Sequence, residues 1–422
     1  MSAVQAFSTV RTEIKGISVK NLAKSFGTPT YVYDAAKIAQ RIADLQAFDV
    51  VRYAQKANSN LAVLDWVRRQ GAAVDAVSAF EIQRALAAGF VEGKEPPEIV
   101  YTTDIFDQLT LDLLVKHDIH VNCGSPVMID QYGERAPGRN ITLRINPGFG
   151  HGHSQKTNTG GEQSKHGIWH DQIDDCLRRA DQHGLGVSGL HMHIGSGTDL
   201  DHLAQVCGAS ETTALGIGRS ITTISAGGGL PTLYRGDEEP VDLERYFDLW
   251  DAMRKRLEGE FGHRISLEIE PGRYLSAECG YLITEIRAIK KMGNNLFYLV
   301  DAGFNNLARP ILYGSYHPMS ICARADNPDP PHQDVVVGGP LCESGDIFTQ
   351  TEGGFVSSRS LPVAAVGDYL IIECAGAYGF VMSSNYNSKP MAAEVLLLDG
   401  KPHLVRARQS FDDVIRGENI PE

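Results

Sequence analysis

The chain lacks any run of 18 consecutive apolar residues, so no membrane-spanning helix is expected. It also lacks a C-x-x-C motif. Its seven cysteines, at 123, 176, 207, 279, 322, 342 and 374, are odd in number and widely spaced, which excludes a disulfide framework or a zinc ribbon. There is no basic excess: 39 Lys and Arg against 52 Asp and Glu give a net charge of −13. That balance disfavours generic binding to nucleic acid or an anionic membrane, while leaving room for a local basic pocket. Polar low-complexity tracts are missing, which excludes a mainly disordered chain. No Walker A pattern occurs; the glycine-rich Gly148-Phe149-Gly150-His151-Gly152 is not followed by Gly-Lys-Ser/Thr. The first 15 residues contain no apolar signal-peptide core. With reduced thiols, this makes a cytoplasmic protein the expectation.

What is present is an alternation of two periods. At 422 residues the length alone suggests three domains. An α/β barrel of about 250 residues would make it two. Runs rich in β-branched residues occur at 51–57, 72–78, 98–103, 119–123, 141–147, 186–194, 220–229 and 265–272. Helical spacing lies between most of them, at 61–69, 79–88, 108–116, 172–182, 203–215 and 243–257. Ser78 and Glu81 form an S-x-x-E capping box, with Gly89 as a stop. Eight such units predict a (β/α)8 TIM barrel, with a doubly wound open sheet as the alternative. After Gly272 the pattern turns to strands at 281–289, 296–301, 334–337, 368–374 and 394–405. Asp399-Gly400 is a two-residue hairpin signal there. A second, mostly β domain is therefore expected, which the strand candidate at 30–33 could join. The expected division is 36–277 for the barrel and 1–35 together with 278–422 for the β domain.

The chemistry-bearing residues fall at the C-terminal ends of the barrel strands, where barrel active sites sit. Lys56 closes the first strand. Burial there would lower its pKa and make the amine a nucleophile toward carbonyls; the plainer reading is a lysine snorkelling at the rim. His191 and His193 share one side of the sixth strand. They suit an aromatic face against a planar cofactor, a metal pair lacking further ligands, or hydrogen-bonded core positions. Gly227, Gly228 and Gly229 end the seventh strand and would let backbone N–H groups approach an anion. Glu270-Pro271-Gly272-Arg273 ends the eighth. Its carboxylate could hold a protonated ring nitrogen and its arginine an anion, or the two could form a rim ion pair. Asp75 and Arg144 are either a structural pair or support for the site. A lysine nucleophile, an anion cup and a buried acid together describe a site for pyridoxal 5'-phosphate.

Several motifs in order also identify a family. They are YAQKANSN at 53–60, VDAVSAFE at 74–81, HMHIGSG at 191–197, GGGL at 227–230, EPGR at 270–273, DAGFNNLARPILYGSYH at 301–317, GPLCESGD at 339–346 and GAYGFVMSSNYNSKP at 376–390. Through them the chain resembles the diaminopimelate decarboxylases, pyridoxal-phosphate lyases with an alanine-racemase-like barrel. The resemblance runs from about Thr28 to Arg408.

It implies decarboxylation of meso-2,6-diaminopimelate to L-lysine and CO2, the last step of lysine biosynthesis. Lys56 would carry the cofactor as a Schiff base and His193 would stack on its ring, although His191 is not excluded. Asp75, Arg144, Ser196, Gly228, Gly229, Glu270, Pro271, Gly272, Arg273 and Tyr378 would complete the cofactor site. Arg273, Arg309, Tyr313, Glu343 and Tyr378 would bind substrate. Cys342 would protonate the α-carbon, since an ordinary thiol is mostly protonated at neutral pH; the plainer reading is a small buried hydrophobe. Cys342 and Glu343 match residues that enter from a partner subunit, so a homodimer with two composite sites is implied. No metal is expected.

Three features depart from the commoner family pattern: Gln55 stands for a leucine, Met192 for a cysteine, and His166 in Lys165-His166-Gly167 for a phenylalanine. The glycine-rich 148–164 segment reads as a loop over the site mouth, or less readily as a metal site through His151 and His153. Three rivals share the fold. One is a polyamine-pathway decarboxylase acting on ornithine, arginine or carboxynorspermidine; the distal arginines and CESGD argue against ornithine. A racemase is disfavoured by Glu270 at the ring nitrogen. A non-catalytic pyridoxal-phosphate carrier is disfavoured by the β domain.

Overall fold

The computed structural model describes residues 7–150, 159–193, 199–217, 221–324, 330–351 and 353–422. Contacts divide the chain into two compact units: Ala39–Pro231 with Val241–Leu275, and Met1–Ile38 with Thr232–Pro240 and Ser276–Glu422.

The first unit is a closed parallel barrel. Its eight strands are Val50–Ala54, Ala73–Ala76, Ile99–Thr103, His120–Cys123, Asn140–Asn146, Gly186–His191, Thr223–Ser225 and Ser266–Ile269, each parallel to the next. Pairing of Glu268 with Val50 and of Ile269 with Val51 closes the ring. A two-residue strand, Ile168–Trp169, adds to the fifth. The first strand is buried along its whole length, as expected when helices cover a parallel sheet.

Part of that interior is charged. Arg52 bonds Glu268 through two oxygens, at 2.6 and 2.8 Å, and the imidazole of His120 lies 2.8 Å from Thr142 Oγ1. Paired, Arg52 and Glu268 avoid the penalty of burying an isolated ion.

Helices follow the local signals. Asn60 caps Leu61–Arg69 by accepting from Ala62 N, and Ser78 caps Ala79–Ala87 by accepting from Glu81 N. The capping box is only half formed, because Glu81 Oε2 accepts from Val77 N, one residue before the cap. Helices Val19–Phe26, Ala35–Ala43 and Pro126–Arg135 have no counterpart among the expected elements; the last lies within the barrel unit. Gly133 interrupts its pattern, and a Cβ added there would lie 2.4 Å from His183 Cβ.

The second unit is mostly sheet. Its spine is Gly280–Met292. The first half pairs antiparallel with Thr30–Asp34 and Tyr369–Ile372, the second half with Asn295–Val300. Thr30–Asp34 also runs parallel to Ala393–Leu398, so the N-terminal strand does join this sheet. Asp399 (φ 51°) and Gly400 (φ 72°) form the hairpin turn to Lys401–Arg406, with the two positive φ values that a type I′ turn needs. The short strands Glu13–Ile14, Ile17–Ser18, Met319–Cys322 and Arg359–Pro362 are additional to those expected. Helix Val19–Phe26 buries Val19, Leu22 and Ala23 against Val32, Ile283, Ile371 and Val395. Full burial of a leucine such as Leu22 contributes about 1.5–3 kcal/mol.

Candidate active site

The barrel unit gathers its polar side chains beyond the C-terminal ends of its strands. Lys56 is not on the first strand but in the 3-10 turn Gln55–Ala57 that follows it, and it is exposed. The expectation of a desolvated strand-end lysine is thereby corrected: the strand ends at Ala54, two residues before Lys56. The turn itself is buried on both sides of Lys56, and Gln55 Nε2 donates to Glu81 O at 3.1 Å.

Asp75 ends the second strand. It is buried, and its Oδ1 has no hydrogen-bond partner. Burial and the nearby charge of Glu270 push its carboxyl well above the usual range, against the pull of Lys56 and Thr102. No Asp75–Arg144 ion pair forms among the described residues. Arg144, at the end of the fifth strand, instead acts electrostatically on Asp104 and His193. Asp104 fixes the 165–167 segment by accepting from Gly167 N at 2.9 Å and pairing with His166 Nδ1 at 2.8 Å. That explains a polar residue at position 166, where the family commonly has phenylalanine.

Glu270 is held on both oxygens. His191 Nε2 lies 2.7 Å from Oε2, and Ser225 Oγ donates to Oε1 at 2.8 Å. Burial pushes the Glu270 carboxyl up, but His191, Ser225 and Arg52 more than offset it and hold it below the usual range. The rim ion pair to Arg273 does not form. Arg273 opens a short helix, Arg273–Ser276, half-buried and without an ion pair among the described residues. His191 is 1% exposed and its Nδ1 has no partner. His193 is only partly buried, and burial, Arg144 and Lys56 keep its imidazole well below the ordinary range, hence neutral.

The three glycines have distinct reasons. Gly227 (φ 63°) and Gly229 (φ 97°) adopt the left-handed region, while a Cβ on Gly228 would lie 2.6 Å from Glu270 O. Gly272 packs so closely that a Cβ would sit 3.2 Å from those of Ala54 and Ala57. Ser196, His151 and His153 lie outside the described residues. Among the described residues, no cluster that could hold a metal ion occurs.

The sheet unit carries the remaining expected residues. Arg309 opens the helix Arg309–Tyr313 and is buried; Tyr313 closes the helix, half-buried. Arg309 Nη1 donates to Tyr234 Oη at 2.9 Å and lies 3.0 Å from His317 Nε2. Tyr378 is half-buried with φ 56°. Cys342 and Glu343 are exposed, whereas the other six cysteines are buried, which rules out the buried-hydrophobe reading of Cys342. Their loop is pinned by buried Asp346, which accepts from Leu341 N at 2.8 Å and Phe304 N at 2.7 Å. Asn387 Oδ1 accepts from Cys342 N at 2.8 Å.

Ser225, Tyr234 and His317 escape sequence reasoning. Each is a single polar residue, and its partner is set by pairing or packing; only the register of His191 with Ser225 across adjacent strands would have pointed to the first.

Residues 35–277 match the family described as pyridoxal-dependent decarboxylase, pyridoxal binding domain. The chain is 51% identical over 412 residues to a diaminopimelate decarboxylase of Escherichia coli (strain K12), covering 97% of this chain and 98% of that protein. It is 51% identical over 400 residues to a diaminopimelate decarboxylase of Streptomyces coelicolor, covering 94% and 91%. Among solved structures, a crystal structure of diaminopimelate decarboxylase aligns with TM-score 0.93 at 50% identity, covering 97% of this chain and 98% of that one. The Helicobacter pylori diaminopimelate decarboxylase complexed with L-lysine aligns with TM-score 0.82 at 30% identity, covering 94% and 98%.

Proposed function

The chain belongs to the diaminopimelate decarboxylases, within the pyridoxal-dependent decarboxylases, and from that premise we propose how its own side chains divide the work. The reaction is decarboxylation of meso-2,6-diaminopimelate to L-lysine and CO2, with pyridoxal 5'-phosphate as cofactor.

The residues of the barrel fit that cofactor. Asp75 Oδ1 and His191 Nδ1 are buried polar atoms without partners, and the 227–229 turn backs on Glu270 O so closely that a Cβ on Gly228 would force it to shift. Bound there, the cofactor supplies a protonated ring that accepts the electron pair released when the carbon–carboxylate bond breaks.

The protein does the rest. Lys56 would hold the cofactor by its aldehyde, and the Gly227–Gly229 backbone and the Glu270–Arg273 turn would hold its phosphate. His193, neutral and partly exposed, supplies the flat face; His191 is already engaged with Glu270. Glu270 would keep a proton on the ring nitrogen, and its clamp by His191 and Ser225 is the observation that carries this reading. Two hydrogen bonds fix a carboxylate that still has lone pairs to offer. Asp75, Arg144, Ser196 and Tyr378 complete the cofactor contacts.

Arg273, Arg309, Tyr313 and Glu343 bind the non-reacting amino-acid end. Ornithine lacks its carboxylate and would leave arginine charge unpaired, a strong basis for discrimination. Cys342 Sγ delivers the proton to the α-carbon. An exposed cysteine and glutamate at the tip of a pinned loop suit delivery into a partner's site, so a homodimer with composite sites belongs to the proposal. Six buried thiols without a disulfide fit the proposed cytoplasmic setting; among the described residues no helix is long and apolar enough to cross a membrane.

Borohydride reduction of the holoenzyme followed by peptide mapping tests the core assignment. The cofactor label should fall on Lys56; a label on any other lysine would remove it.

A further inference from the structure

Two sequestered arginines of this chain are matched by carboxylates. Arg52 is 1% exposed and is matched by both oxygens of Glu268; Arg11 is matched by both oxygens of Glu373. Arg309 is different. It is 5% exposed, yet no carboxylate lies within ion-pair distance of it among the described residues. Its Nη1 meets two neutral groups, the Tyr234 hydroxyl at 2.9 Å and His317 Nε2 at 3.0 Å. The Tyr234 ring lies 5.0 Å from its guanidinium carbon and packs edge-on against His317.

The charge state of His317 follows from its neighbours. Its Nδ1 lies 3.0 Å from Glu373 O, and a carbonyl only accepts, so Nδ1 carries the proton. Nε2 faces an Arg309 donor and must therefore offer a lone pair. His317 is the neutral tautomer, acting as a pure acceptor toward Arg309. The Glu373 carboxylate is occupied elsewhere, by Arg11 and by Ser320 Oγ at 2.8 Å. Arg309 is thus oriented through Nη1 while its charge stays uncompensated. A buried cation without a counter-ion is costly, and a ligand carboxylate relieves that cost.

We infer that His317 is a specificity-positioning residue: by meeting Arg309 with a neutral acceptor it reserves the guanidinium charge for a carboxylate on the ligand. An acid at this position would hold Arg309 equally well and fill the charge that the ligand should fill. The inference rests on the reading that Arg309 meets the ligand's non-reacting carboxylate.

The test uses the holoenzyme and calorimetry with two probes. L-lysine keeps that carboxylate; 1,5-diaminopentane lacks it. His317→Glu should weaken L-lysine binding by about tenfold or more, a loss of 1.4 kcal/mol or greater. Binding of 1,5-diaminopentane should not weaken. His317→Gln, a neutral acceptor, should stay within about threefold of wild type for L-lysine. His317→Asp is the second acidic variant should the first fail to fold. Wild-type affinity for L-lysine in a folded acidic variant would overturn the inference, and so would equal losses in the Gln and acidic variants, which would mark a packing role. Arg309→Met separates the two levels: unchanged L-lysine affinity there would remove the reading of Arg309 itself.

Discussion

His191 Nε2 lies 2.7 Å from Glu270 Oε2 at the C-terminal end of the barrel, with Ser225 on the other carboxylate oxygen. The sequence shows His191 as one half of an H-x-H pair. In the barrel the two histidines separate in role, one tied to the acid and one left facing the glycine turn.

Replacing His191 by phenylalanine removes a hydrogen bond to a charged group, worth about 1.5–3 kcal/mol. The Glu270 carboxyl should then titrate higher in the cofactor-free protein, read by carbon-13 NMR of labelled glutamate. In the holoenzyme, kcat should fall about 10- to 150-fold. Unchanged Glu270 titration would show that the clamp does not set the acid's charge.

Cys342→Ser should lower kcat by about 10²- to 10⁴-fold while KM changes little, because a positioned acid is lost and binding groups remain. Stability should stay within about 0.5 kcal/mol, since the residue is exposed. A large drop in melting temperature would point to a structural role instead.

Mixing Lys56→Ala and Cys342→Ser subunits tests the composite dimer. If Cys342 serves the partner's site, half the subunit pairs regain one intact site, and activity returns to about a quarter of wild type. If each chain uses its own cysteine, the mixture stays inactive.

His120 carries a pH signature. Burial and the charge of Arg52 lower its pKa to about 4 in the fold, against about 6.5 in an unfolded chain. Between those values unfolding takes up a proton, so stability is lost as pH falls from about 6.5 to about 4. His120→Gln should flatten that part of the stability–pH curve by roughly one proton, measured by denaturant titration; an unchanged slope would contradict the shift.

Gly228→Ala places a methyl against Glu270 O, a backbone atom that cannot swing aside. A cost of about 1–3 kcal/mol is expected from overpacking. Faster cofactor release on dialysis should accompany it; tight retention would mean that the turn does not cradle the phosphate.

Much of the fold is legible in the sequence because period and composition change together. All eight barrel strands coincide with β-branched runs, and the Asp399-Gly400 signal delivers its hairpin. Helix Pro126–Arg135 is hidden because Gly133, needed for close approach to His183, breaks the helical pattern. Thr232–Pro240 lies within the barrel's stretch of sequence but clusters with the sheet unit, where Tyr234 meets Arg309. The motifs marked Lys56, Glu270 and Cys342. They did not mark Ser225, Tyr234 or His317, whose partners come from strands and loops distant in sequence. The exposure of Lys56 is not legible, because strand propensity does not say at which residue a chain leaves the barrel wall.

The most direct measurement is product analysis with the pyridoxal-phosphate-loaded protein, offered meso-diaminopimelate, L-ornithine, L-arginine and L-lysine separately. Lysine and CO2 in equal amounts from meso-diaminopimelate alone is the expected result. Release of CO2 from ornithine or arginine, with none from meso-diaminopimelate, would contradict the assigned reaction and the role of the distal arginines.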